Sequence, residues 1–129
     1  YKLGEKLDYV SWDNYPDNQW GGSQYEYVSM AHENMRGIKN RNFVVMEEQA
    51  GPCGWDVVGR TPKPGQLRLW TYQAVMHGCE GVVYFRFRTA LFGMEQYWYG
   101  VLDHDGVPRR RFYELKQTGQ ELNKLERNR

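Results

Sequence analysis

Nothing in this chain's charge leans strongly one way. Seventeen basic residues face sixteen acidic ones, a formal charge of +1. That gives no global electrostatic case for nucleic acid or an anionic membrane. Cysteine is scarce: Cys53 and Cys79 stand in unrelated contexts, with no C-x-x-C pair. Two such cysteines make no disulfide framework, and a reducing, cytoplasmic setting is the expectation. Three scattered histidines make no metal-ligand spacing, so no metal is expected. No apolar run is long enough to span a bilayer, and no secretory signal, repeat or low-complexity linker is visible. The first residue is Tyr1 rather than Met.

What is present is globular material. The 129 residues suffice for one ordinary domain with a core. Apolar residues make up 40% and charged ones 26%, unlike a disordered tail. Aromatics reach 16%, with ten Tyr, five Trp and five Phe. Several sit beside polar, turn-rich stretches. Core packing accounts for some of them; a carbohydrate surface is the sharper alternative, because an aromatic face complements the C–H face of a sugar ring.

Three short runs have strand composition, rich in Val and aromatics: Leu7–Trp12 leading into Asp13-Asn14-Tyr15-Pro16, Phe43–Met46, and Gly81–Arg88. Helix patterns separate them. Ser23 to Glu26 reads as a capping box, followed by Tyr27, Met30, Ala31, Asn34, Met35 and Ile38 at helical spacing, with Gly37 as an end signal. A second helix is expected from Pro64 to Gly78, with Leu67, Trp70, Ala74 and His77 as its stripe. A third is expected from Phe112 to Leu125, carrying Leu115, Leu122 and Leu125 on one side. Strand–helix alternation repeated three times means an α/β fold with a parallel sheet and right-handed crossovers. Three strands alone would leave both sheet edges unpaired. The expectation is therefore about three β/α units of a larger barrel, for which a (β/α)8 example needs roughly 250 residues.

Each strand ends in polar or charged residues: Asp13, Glu47 with Glu48, and Arg86 with Arg88. In parallel α/β folds that end binds ligands. Glu47 and Glu48 are adjacent on one strand, so they point to opposite faces; strict alternation groups Glu47 with Phe43 and Val45, and Glu48 with Val44 and Met46. Either acid could serve as nucleophile or acid/base, and either could be a solvated strand end. Glycoside hydrolysis with retention needs two carboxyl groups roughly 5–5.5 Å apart, and Asp13, Glu47 or Glu48, and Glu95 are the acids on offer. Glu95 lies in the aromatic loop Gly93-Met94-Glu95-Gln96-Tyr97-Trp98-Tyr99-Gly100, material for clasping a sugar or for packing on itself. Asp103-His104-Asp105-Gly106 reads as a turn, Arg109-Arg110-Arg111 as a solvated turn, and Cys53 as a passive thiol.

Five blocks, VSWDNYP, VVMEEQAGPCGW, PGQLRLWTYQAVMHG, GVVYFRFR and FGMEQYWYGVLDHDG, together resemble the catalytic barrel of family 42 β-galactosidases, in the family's order and over nearly the whole chain. The resemblance implies the sixth to eighth β/α units of a (β/α)8 TIM barrel, a single segment over residues 1–129. It implies a retaining β-galactosidase that needs no cofactor, with Glu47 as nucleophile and Glu48 standing where the family has Gln. The family's acid/base follows the fourth strand, outside this segment, so this chain would supply half the site. As substrate-binding residues it implies Trp55, Phe85 and Glu95, with Tyr15 as the tyrosine touching the nucleophile and Asp13 a second candidate beside it. Trp98 is placed with the substrate-binding residues too, but departs from a sugar-binding family histidine, which leaves room for an α-L-arabinopyranoside or β-D-fucoside instead of a galactoside. Partners implied are a β-galactoside, the rest of the barrel and, in the full-length protein, a homotrimer. The contrasting expectation is a non-catalytic sugar-binding fragment that lacks the acid/base.

Overall fold

The structure is a computed structural model that describes residues 2–18, 25–53 and 59–127. Strands and helices alternate: β1 (Ser11–Asn14), α1 (Tyr25–Lys39), β2 (Phe43–Gln49), α2 (Gln66–Met76), β3 (Cys79–Phe85) and α3 (Arg110–Glu126). Short 3-10 turns cover Gly4–Lys6 and Pro16–Asn18. The strands form one parallel sheet in the order β1-β2-β3. Parallel pairing puts all three C-terminal ends on one edge, so Asn14, Gln49 and Phe85 finish side by side.

One face of the sheet is covered by helices. Phe43, Val45, Ala74 and Cys79 form a buried cluster, flanked by Trp12, Met35 and Val82. Leu67 and Trp70, from the stripe expected on α2, are fully buried. The hydroxyl of Thr71 on α2 meets that of Tyr84 on β3, fastening helix to sheet. The opposite face is open: Met46 on β2 and Val83 on β3 are each about half exposed, although parallel sheets are ordinarily covered on both sides.

Several boundaries differ from expectation. Helix α1 runs through Gly37 to Lys39, and the positive φ of Asn40 (51°) takes the chain out of it. Its buried stripe is Val28 and His32, with Met35 half-buried, while Tyr27 and Met30 are exposed. The expected face is thus off by one position, because His32 reads as polar yet fills the core. It stacks on Phe43 at 5.3 Å and accepts a hydrogen bond from Trp12 Nε1 at 3.2 Å. The expected capping box begins at Ser23, outside the described residues. Strand β3 starts two residues earlier than expected and stops at Phe85. Helix α3 begins at Arg110, and Leu125 is exposed. The three arginines before and within it are tied down: Arg109 to Asp105 (2.6 Å), Arg110 to Glu114 (2.9 Å), and Arg111 to Asp103.

Candidate active site

Strand β2 is irregular where the two glutamates sit. Val45 pairs with Trp12 on β1 and with Val82 on β3. Beyond it the register slips on both sides: Glu47 pairs with Asp13, and Glu48 with both Asn14 and Tyr84. Between Val45 and Glu48, β2 therefore carries one residue more than either neighbour, a β-bulge of the kind that re-aims side chains. The burial along Phe43–Gln49 follows suit, with Phe43, Val45, Glu48 and Gln49 buried and Met46 exposed. This corrects the strict alternation, in which Glu47 shared a face with Val45. The bulge places Glu48 on the helix side with Val45 and turns Glu47, only partly buried, the other way.

On the open side, the Tyr15 hydroxyl donates to Glu47 Oε2 at 2.6 Å. Burial and the neighbouring Glu47 carboxyl both push the Tyr15 phenol well above its ordinary range, so it remains a donor. Asp13, exposed and in register with Glu47, has its carboxyl raised by desolvation and then by the Glu47 charge. The turn carrying Tyr15 is pinned by Gln49, whose Oε1 accepts from the Asp17 N–H at 3.0 Å while its Nε2 donates to the Gly51 carbonyl at 3.1 Å.

On the helix side, Glu48 is fully buried and is no solvated strand end. Asn14 Nδ2 donates to both of its oxygens, at 3.2 and 3.1 Å. Burial raises its pKa to about 8, and the Asn14 hydrogen bond offsets only part of that. Asn14 and Gln49 have their role through burial and register, which residue type alone does not signal.

At the end of β3, Arg86 bridges two of the expected residues. Its guanidinium lies over the Phe85 ring, 4.9 Å from the centroid, and pairs with Glu95 at 3.1 Å. Phe85 is in register with Gln49. Trp98 is half-buried in the same loop, its N–H bonded to the Glu95 carbonyl at 3.1 Å. That loop folds back on the strand end: Tyr99 N–H reaches the Pro52 carbonyl (2.9 Å) and Val101 N–H the Arg86 carbonyl (2.7 Å). A Cβ on Gly51 would stand 2.5 Å from the Tyr99 carbonyl oxygen, so only glycine admits this approach. Trp55 lies outside the described residues. The structure thus joins Tyr15 to Glu47, with Asp13 beside them, and Phe85 to Glu95 through Arg86.

Other candidates have structural partners. Burial pushes the Cys53 thiol up to about 12, which suits a passive group. His104 bonds the Gln96 carbonyl at 2.8 Å within the expected turn, which closes from Gly106 N–H to the Asp103 carbonyl. Among the described residues no cluster of His, Cys, Asp and Glu could hold a metal ion, and no helix is long and apolar enough to cross a membrane.

Comparison with known proteins adds a family. The sequence profile of the glycoside hydrolase 42 family, described as β-galactosidase, matches residues 1–125. The β-galactosidase BgaA of Clostridium cellulovorans is 44% identical over 128 residues, 97% of this chain and 19% of that protein. The crystal structure of a β-galactosidase from the psychrophilic Marinomonas ef1 superposes with a TM-score of 0.89 at 34% identity, covering 98% of this chain and 22% of that one. A β-galactosidase structure from Bacillus circulans sp. alkalophilus gives 0.86 at 37% identity, over 96% and 18%. This chain spans about a fifth of the length of the curated relatives it matches.

Proposed function

The chain belongs to the glycoside hydrolase 42 β-galactosidase family, and from that premise we propose that it carries the nucleophile half of a retaining β-galactosidase site. The observation that carries the proposal is the Glu47 carboxylate at the C-terminal edge of the sheet, partly exposed and held by Tyr15 at 2.6 Å. Glu47 attacks the anomeric carbon of a terminal β-D-galactosyl residue as the glycosidic oxygen leaves. A carboxylic acid outside this chain protonates the leaving group and then draws a proton from the water that releases galactose. Tyr15 orients Glu47; Phe85, Trp55 and Trp98 offer faces to the sugar, and Glu95 accepts from its hydroxyls. No cofactor enters. The open face bearing Met46 and Val83 and the sheet edges, without a partner strand among the described residues, fit a segment of a (β/α)8 barrel, its sixth to eighth units, completed by the rest of the protein, which assembles as a trimer.

The test is chemical rescue of the Glu47→Ala variant of the full-length enzyme. With azide and an activated galactoside, the vacated space lets the anion attack in place of the carboxylate. The expected product is the α-galactosyl azide, with turnover restored; no rescue, or a β-configured azide, contradicts the assignment. Trp98 supports a second reading of the substrate, an α-L-arabinopyranoside or β-D-fucoside. Relative kcat/KM on the nitrophenyl glycosides decides between the sugars.

A further inference from the structure

Behind the Tyr15–Glu47 pair lies a second pair that the catalytic chemistry does not use. Asn14 and Glu48 are each 0% exposed and in register across β1 and β2. They immediately adjoin Tyr15 and Glu47 in the sequence, on the far face of the same two strands. Asn14 Nδ2 serves both carboxyl oxygens, at 3.2 and 3.1 Å, whereas Asn14 Oδ1 is buried with no hydrogen-bond partner among the described residues. A buried acceptor without a donor is costly. An ionised carboxylate has no proton to offer it; a neutral carboxyl has one.

We propose that Glu48 is a neutral positioning residue. Its O–H donates to Asn14 Oδ1 while Asn14 Nδ2 donates to its other oxygen, and this acid–amide pair locks the β2 bulge so that Tyr15 meets Glu47. The proposal rests on the reading of Glu47 as nucleophile.

The surroundings favour the neutral form. On β3, Tyr84 and Cys79 are both nearby, and a negative charge on Glu48 would raise each of them. The Tyr84 hydroxyl is engaged by Thr71 of α2, and Glu114 of α3 acts on the same phenol. Asp13 on β1 and Tyr15 just after it face Glu47 on the other side of the sheet. On β2 itself the neighbours are Glu47 and the neutral Gln49. None of these groups is a cation, so nothing here compensates a buried carboxylate. Burial accordingly places the Glu48 pKa near 8. A protonated carboxyl has the shape of a carboxamide and, like it, sets a donor beside an acceptor. It can do at neutral pH what Gln would do at every pH. Above about 8 the proton leaves, Asn14 Oδ1 loses its donor, the new charge keeps only the Asn14 Nδ2 bond, and the bulge loosens.

The experiment compares the full-length enzyme with its Glu48→Gln, Glu48→Ala and Glu47→Gln variants. It measures kcat/KM for a nitrophenyl galactoside, and Tm, from pH 5 to 9. Glu48→Ala is expected to lose on the order of tenfold or more in kcat with a smaller change in KM. Glu48→Gln is expected to restore that rate and to lack the decline in both activity and Tm expected of wild type as pH rises toward 8. A Glu48→Gln enzyme as impaired as Glu48→Ala, or one whose Tm falls with pH as steeply as wild type, overturns the proposal. Glu47→Gln separates the two claims. If it retains wild-type turnover, the nucleophile reading fails, while the Tm profiles of the Glu48 variants still decide the acid–amide pair.

Discussion

The Tyr15 hydroxyl donates to Glu47 Oε2 at 2.6 Å, joining residues 32 positions apart across the β1–β2 boundary. A short hydrogen bond to a carboxylate fixes its orientation and tempers its charge. Replacing Tyr15 with Phe removes the bond and keeps the ring. A charge-assisted hydrogen bond contributes about 1.5–3 kcal/mol, so kcat is expected to fall by roughly tenfold to a hundredfold. KM should move less. Steady-state kinetics on a nitrophenyl galactoside check this; an unchanged kcat would mean the bond plays no part in turnover.

Arg86 holds Glu95 at 3.1 Å beside the Phe85 ring. If Glu95 binds sugar hydroxyls, removing it should weaken substrate binding. Glu95→Ala is expected to raise KM by about tenfold, the worth of one charge-assisted hydrogen bond. Arg86→Ala, which frees Glu95 without deleting it, should raise KM less. Equal KM values for both variants and wild type would place this cluster outside the substrate's reach.

Trp70 is fully buried beneath the sheet, on the α2 stripe with Leu67 and Ala74. Trp70→Ala leaves a large cavity and is expected to cost about 3–5 kcal/mol of stability. Denaturant unfolding monitored by circular dichroism measures it. A loss well under that range would show that α2 does not hold the sheet as described.

His32 makes stability depend on pH from the acid side. Burial, then the nearby His77, press its pKa down to about 4, with Glu33 pulling weakly the other way. The folded protein keeps it neutral, so the unfolded chain takes up a proton first as pH falls. Its contribution is complete above pH 6.5 and is lost as pH drops through about 4, roughly 3 kcal/mol in all. Glu48 acts with the opposite sign. Its contribution is complete below the ordinary carboxylate value of 4.5 and disappears as pH rises through about 8. The two slopes cancel between 4.5 and 6.5 and leave stability falling on either side. Thermal unfolding of His32→Phe across pH 4–8 should show a shallower acid limb than wild type; an unchanged limb would locate the acid sensitivity elsewhere.

Much of the architecture was legible in the sequence, because strand composition and helical spacing are local signals. Three strands paired in parallel, the Leu67, Trp70 and Ala74 stripe of α2 and the polar edge at Asp13, Glu47 and Arg86 follow from them, although β1 lies at Ser11–Asn14, later than the Leu7–Trp12 run expected, and His77 caps α2 instead of joining its stripe. What was not legible depended on contacts between distant residues. The bulge after Val45 exists only relative to β1 and β3, and it overturned the face expected for Glu47. His32 reads as a polar residue on a surface helix until Trp12 and Phe43 are seen on either side of it. Asn14 and Gln49 are unremarkable letters in DNYP and EEQ; only burial reveals that they fasten the strand ends. Arg86 was placed by type, yet its joining of Phe85 to Glu95 needed the loop after β3 to fold back. Trp55, outside the described residues, remains a proposal from family likeness.

Glu47, and not its neighbour, is the residue expected to bond to the sugar. The direct measurement is to trap the intermediate on the full-length enzyme with a 2-deoxy-2-fluoro-β-galactoside bearing a good leaving group, then read the labelled peptide by mass spectrometry. One fluorogalactosyl group is expected on the peptide VVMEEQAG, attached at Glu47 through an ester. Label on Glu48 or Glu95, or none anywhere in this chain while the enzyme is inactivated, would contradict it.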